Sequence, residues 1–329
     1  MIFRFINTTL SVVLMAVTLS SCERIYEDLD PCPHGVSLRF VYDYNMEYAN
    51  AFPKKVDCLT LLIYDDKGNY VDTRVVTGSE LQDENYRMKL DLNEGTYRFV
   101  AYGGIACDKR SFDFVEPVPA ENVNIEKLNV LMNTDLTVPI QEKLHDFFWG
   151  ALTLKTGDLY SEGTVEMMKN TNNIRIVLQQ LNGQPVDDKD YTFQITDDNT
   201  LFDRENDLIP NGTITYLPWT TGQASTGVMD NNQEVVVAYA EFSTSRLMTQ
   251  NSPKLLIRRK SDGGETVNIP LNNYLLLLKS DLYAQMGEQE FLDRESEWSL
   301  VFFLDEDQKW IETYIKINDW TVRVNDIGE

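Results

Sequence analysis

Cys22 is the residue whose setting most narrows its chemistry, because Leu19-Ser20-Ser21 precedes it directly. Upstream lie Met1-Ile2-Phe3-Arg4 and an apolar run over residues 10–19. A short apolar stretch closed by small residues is a secretory signal, too brief to span a bilayer. A cysteine directly after the small residues adds a second chemistry. Its thiol takes a diacylglycerol, the chain is cut before it, and the new amine is acylated. Each buried acyl CH₂ is worth about 0.8 kcal/mol, so two or three chains hold a folded domain on a membrane. Residues 1–21 are therefore expected to be a lipoprotein signal peptide and residues 22–35 a tether rich in Glu, Asp and Pro.

The remaining cysteines are Cys32, Cys58 and Cys107, which permit one internal disulfide and form no CxxC pair. Cys58 opens a candidate strand and Cys107 lies just past the end of another. If those strands pair antiparallel in an oxidising compartment, the two sulfurs come close. Cys32–Cys107 is the alternative bridge, and buried free thiols are the third reading. A metal centre would need His34 and His145, the only histidines, and none is expected.

Catalysis has little to draw on. His34 sits between Pro33 and Gly35, and His145 lies in a loop-like stretch; GxSxG and HExxH are absent. No enzyme and no cofactor are predicted. Asp197-Asp198-Asn199, with Asp203, Glu205 and Asp207 downstream, lacks the spacing of a calcium loop and reads as a solvated turn. Gly103-Gly104 reads as a tight turn after a strand. Trp149, Trp219, Trp298, Trp310 and Trp320 could supply an aromatic platform for a glycan. Trp298 and Trp310, at alternating apolar positions, are better placed for the core.

The full chain carries a net charge of −23, and loss of Arg4, the one charge within residues 1–21, makes it −24. Such a surface repels nucleic acid, which is bound through cationic contacts to phosphate. Lys279 and Asp281 cut short the leucine run at residues 275–278, so no second stretch reaches membrane-spanning length.

Period-two alternation and Gly-bearing turns dominate the elements that must position these residues. Leu59-Thr60-Leu61-Leu62-Ile63-Tyr64 runs into Asp65-Asp66-Lys67-Gly68-Asn69 and a returning strand, and residues 86–92 and 96–102 read as a second hairpin. The pattern restarts near residue 160. Strands are then expected at residues 164–168, 174–181, 191–196, 212–217, 234–242 and 254–259. A helix is expected over residues 273–285, with Asn272 or Asn273 as its cap. Two long strands follow at residues 298–304 and 310–324, the last interrupted by a bulge or turn at Asn318-Asp319.

Several segments resemble FimB-type anchor fimbrillins of Bacteroidota. They are Asp28-Leu29-Asp30-Pro31-Cys32-Pro33, Val36-Ser37-Leu38-Arg39-Phe40-Val41-Tyr42-Asp43-Tyr44-Asn45, Val56-Asp57-Cys58-Leu59-Thr60 and Gly95-Thr96-Tyr97-Arg98-Phe99-Val100-Ala101-Tyr102-Gly103-Gly104. Met168-Lys169-Asn170-Thr171-Asn172-Asn173 and Ile317-Asn318-Asp319-Trp320-Thr321-Val322 complete the match, which covers essentially the whole chain. The resemblance implies an all-β chain of two tandem transthyretin-like antiparallel β-sandwich domains, at residues 36–160 and 161–329, with one short helix in the second. It implies a structural anchor subunit, lipid-anchored in the outer membrane through Cys22 and exposed at the surface, which holds the base of a fimbria and limits its length. Its partners would be fimbrial stalk subunits, joined by strand addition, for which the C-terminal strand at residues 314–324 is the candidate. A stalk or tip subunit shares the same signal and fold, and a surface glycan-binding lipoprotein is the alternative from another class.

Overall fold

The computed structural model describes residues 35–117, 123–138, 140–157, 160–228, 234–279, 283–311, 314–317 and 320–323. The signal, Cys22, Cys32, His34 and nearly all of the tether lie outside the described residues.

Seven strands make the first sheet: β1 (Gly35–Val41), β2 (Leu59–Asp65), β3 (Tyr70–Val76), β4 (Met88–Leu90), β5 (Gly95–Gly103), β8 (Phe148–Thr156) and β9 (Tyr160–Lys169). Their order is β3-β2-β5-β8-β9-β1-β4. β8 meets β9 over only Phe148↔Lys169, Trp149↔Met168 and Gly150↔Met167, and there the sheet folds over on itself. Val36, Leu38 and Phe40 of β1 thereby pack against Leu59, Leu61 and Ile63 of β2 and Phe99 of β5, one sandwich core. The opposite faces of β2 and β5, through Leu62, Tyr64, Val100 and Tyr102, join a second core. Burial on both faces is why residues 59–64 are apolar at every position but Thr60 rather than at alternate ones.

A second sandwich packs two sheets. One takes the order β15-β16-β10-β19-β20-β21, built from β10 (Thr171–Gln180), β15 (Thr220–Val228), β16 (Glu234–Ser245), β19 (Glu297–Leu304), β20 (Tyr314–Ile317) and β21 (Trp320–Arg323). The other takes the order β14-β11-β17-β18, from β11 (Tyr191–Asp197), β14 (Ile214–Tyr216), β17 (Lys254–Arg259) and β18 (Glu265–Pro270). Between them lie Ile174, Ile176, Phe242, Leu300 and Phe302 on one side and Phe193, Ile195, Leu255 and Ile257 on the other. A small sheet of β13-β12-β7-β6 interleaves both parts of the chain, from β6 (Phe112–Phe114), β7 (Val130–Met132), β12 (Leu201–Phe202) and β13 (Leu208–Ile209).

The all-β expectation holds, with particular departures. Antiparallel pairing dominates, yet β1 runs parallel to β9 and β10 parallel to β19. Residues 86–102 are not a hairpin: β4 pairs with β1 and β5 with β2 and β8, so the chain crosses between layers at residues 91–94. β9 belongs with β1 and β8, which moves the change of sheet past residue 160 to Asn170. The expected helix at residues 273–285 is shorter. It comprises α2 (Leu271–Leu275; α1 being Phe52–Lys55) and a 3₁₀ turn at Leu276–Lys279. Four consecutive leucines offer no apolar stripe for a longer helix to bury. A further helix, α3 (Glu288–Arg294), has Gly287 at its N-cap, Glu288 and Glu290 in its first turn and Arg294 in its last, the order the helix dipole favours. The interruption at Asn318-Asp319 lies outside the described residues, but Ile317↔Trp320 pairing makes β20 and β21 a reversing hairpin.

Gly104 follows β5 at φ +94°, and a Cβ there would overlap the carbonyl of Asp146. Neither the dihedral nor the space tolerates a side chain. Gly104→Ala is expected to cost about 2 kcal/mol or more, read as a lowered urea midpoint at unchanged m-value.

Candidate assembly surfaces and the joint between the sandwiches

Cys58 and Cys107 are bonded, with Cα atoms 5.6 Å apart across 49 residues of chain. The disulfide sits where β2 begins and the loop after β5 turns back, since Leu59 pairs with Gly103 and the Gly104 N–H donates to the Cys58 carbonyl at 3.2 Å. The alternative partner, Cys32, is outside the described residues. Asp57 Oδ1 lies 3.1 Å from His145 Nε2 and beside Cys107 Sγ. A disulfide sulfur is no thiolate ligand, so this trio offers two free donors where a zinc centre takes three or four from protein.

In the acidic loop, Asp198 and Asp203 use their carboxylates for backbone, whereas that of Glu205 pairs with Arg98 and Arg204. Asp203 Oδ1 accepts the N–H groups of Glu205 and Asp207, and Asp198 Oδ1 accepts that of Asn211. Asp197 differs, being 4% exposed with Oδ2 unpartnered. Burial pushes its carboxyl up to about 6, against the opposing bonds from the Asp198 N–H and the Asn251 amide. The folded chain thus binds this proton more tightly than the unfolded chain does. The contribution to stability is full below about pH 4 and is lost as pH rises through 6, a swing on the order of 3 kcal/mol. Asp197→Asn is expected to raise the thermal midpoint at pH 7 and to leave it unchanged near pH 4, measured by calorimetry at both.

Where β9 hands over to β10, the joint is polar and buried. Lys169, 4% exposed, places Nζ 3.1 Å from Asp146 Oδ1 and 3.4 Å from Glu297 Oε1. Asn170 and Asn206 exchange amide hydrogen bonds of 2.5 and 3.0 Å. Arg246 grips Asp293 of α3 through two bonds of 2.7 Å and donates a third, of 2.8 Å, to the Asn206 carbonyl. Lys169 and Asn170 fall in the Met168–Asn173 segment that carries the family resemblance, but the sequence alone reveals no buried polar joint in any of these groups. Their signal was only the polar tract Lys169-Asn170-Thr171-Asn172 between two apolar strands, all four buried here.

The sheet edges differ in how they are guarded. β3 carries Asp72 and Arg74, β4 Lys89, and β18 Glu265 and Pro270, devices that discourage further pairing. β15 reads Thr-Thr-Gly-Gln-Ala-Ser-Thr-Gly-Val, uncharged and mostly exposed. At the other end of its sheet β20 meets β19 over just Leu300↔Ile317 and Val301↔Lys316, with β21 outermost. Of the tryptophans, Trp298 is buried and donates to Asn172 Oδ1, Trp310 packs edge-on against Phe302, and Trp219 lies under the Lys143 ammonium. Trp149 lines a surface cleft. The side chain of Trp320 is outside the described residues.

Residues 29–326 match the family model of the fimbrillin-A associated anchor proteins Mfa1 and Mfa2. The chain belongs to that family. That family is one of fimbrial anchor and adhesin-like structural proteins and not a family of enzymes, which supports an anchor- or adhesin-like role for this chain. A solved candidate adhesin from Bacteroides thetaiotaomicron is 67% identical, with a TM-score of 0.87 over 91% of this chain and 100% of that one. A candidate polysaccharide-binding protein from the same species is 27% identical, with a TM-score of 0.76 over 89% of this chain and 99% of that one. The fimbrial anchor protein Mfa2 from Porphyromonas gingivalis shares the fold at 14% identity, with a TM-score of 0.66 over 89% and 99% of the two chains. No curated protein matches the sequence significantly. Among the described residues no helix is long and apolar enough to cross a membrane.

Proposed function

We propose that the chain is the anchor subunit of a fimbria, lipidated at Cys22, held in the outer membrane, and joined to the first stalk subunit by strand addition. The family match over residues 29–326 is the observation that carries this reading. The small-residue cysteine motif supports the lipid, and two sandwiches dividing at the β9–β10 link supply sheets with edges to share. An added strand gains main-chain hydrogen bonds along an edge that already presents unpaired N–H and C=O groups. The β20–β21 hairpin fits the role of the joint because few backbone pairs tie it to β19 and it lies at the edge of its sheet. An anchor that occupies the terminal edge in this way would also stop further growth at the base and so limit fibre length.

Deleting residues 319–329 removes β21 while keeping Ile317, which is fully buried. The expected result is a lipidated protein still at the membrane with fibres shed into the medium. Fibres that remain attached to cells at normal length would show that this hairpin does not make the joint.

A further inference from the structure

The loop between β1 and α1 is stapled by two asparagines. Asn45 Nδ2 donates to the carbonyls of Tyr42 and Ala49 at 3.0 and 2.9 Å, and Asn50 Oδ1 accepts the N–H groups of Tyr42 and Phe52 at 3.0 and 3.1 Å. This frame holds Tyr48 at φ +51°, a left-handed backbone that a tyrosine rarely adopts, with the residue 59% exposed. Core packing does not account for an exposed ring on a strained backbone, and strain of this kind clusters at ligand sites. The Arg294 guanidinium lies 4.1 Å from the Tyr44 ring centroid and 4.7 Å from that of Tyr48. Glu290 holds it through Nε at 2.8 Å. Both tyrosines are thus fixed before any ligand arrives.

These groups rim a cleft of about 330 Å³ that reaches Trp149 and is also lined by Asp43 and Glu166. The volume falls at the lower end of the range for small-molecule sites. The Trp149 N–H is buried beside the Tyr102 hydroxyl, so Trp149 contributes ring surface to the cleft. The carboxylates of Asp43 and Glu166 have no protein hydrogen-bond partner among the described residues. The cleft therefore combines aromatic surface, two acceptors and one fixed donor.

We propose that this cleft binds a neutral saccharide unit, its ring C–H face against the aromatic surface and its hydroxyls donating to Asp43 and Glu166. The charges choose among ligand classes. An acidic sugar would face two carboxylates. A lysine or arginine side chain would meet Arg294 already lodged between the tyrosines. A polyhydroxylated neutral ring satisfies both donor and acceptors without carrying a charge into the cleft. The site is independent of the anchor reading, so its failure would leave that reading as it stands.

The test is saturation-transfer NMR on the full chain in detergent, with methyl glycosides of glucose, galactose, mannose and N-acetylglucosamine, and with glucuronate and lysine amide as charged comparisons. At least one neutral glycoside is expected to receive saturation, strongest on one face of the ring. Tyr48→Ala and Glu166→Gln, both exposed and outside the core, are each expected to weaken binding about tenfold or more, with the thermal midpoint retained. The proposal is overturned if no neutral glycoside responds, if both variants bind as the parent does, or if a charged compound binds more tightly than every neutral one.

Discussion

Replacing Asp293 with alanine is expected to destabilise the second sandwich by about 3–5 kcal/mol. The carboxylate is 5% exposed and takes two of the Arg246 bonds at 2.7 Å, and the Gln289 amide donates to it at 2.9 Å. Alanine leaves a guanidinium buried at 9% exposure with the Asn206 carbonyl as its remaining acceptor. A buried unpaired charge costs far more than the pair contributes, because its hydration is not restored. Thermal unfolding should therefore show a midpoint lower by roughly 10 °C. The double variant Arg246→Met, Asp293→Leu, which removes both charges, should recover most of that loss. If the single variant melts within a degree or two of the parent, the pair is not what fastens α3.

Cys22→Ala is expected to release the folded protein from the membrane altogether. Each acyl chain contributes on the order of 10 kcal/mol of burial in the bilayer, and no described helix offers a substitute. Cys22 lies outside the described residues, and the substitution is expected to leave the melting curve unchanged. Detergent-phase partitioning reads the outcome. Continued recovery of the variant in the detergent phase would mean that something other than this lipid holds the chain.

Legibility in the sequence followed the physics of each element. β17 at Lys254–Arg259 has the bounds that its alternation and flanking turns indicate, because one of its faces is buried and the other is not. β15 escaped notice because an exposed edge of Thr, Gly, Gln, Ala and Ser carries no apolar period to detect. α3 is seven residues long, too brief for a helical period to show, and it is not among the elements expected from the sequence. The order β3-β2-β5-β8-β9-β1-β4 depends on long-range pairing that alternation does not encode. The proposal for Cys22 rests on its three preceding neighbours alone, because lipidation chemistry acts on a linear motif. Trp149 could be named by type, but the Tyr48–Arg294–Tyr44 stack could not. That stack needs a left-handed residue and a helix 250 positions downstream, roughly the 251 and 249 that separate Arg294 from its acceptors Asp43 and Asn45.

The parallel register of β1 with β9 also bears on how the molecule carries load. β1 begins at Gly35, and from Gly35↔Tyr160 to Val41↔Glu166 the two strands stay paired along their whole shared length. Tension applied from the N-terminal side of Gly35 would pull β1 along its own axis, across hydrogen bonds that run from strand to strand rather than along them. The ladder then bears the force in shear, all rungs together, instead of peeling one rung at a time. In the anchor proposed above, held at one end and pulled at the other, that geometry would favour slow mechanical failure over early unravelling.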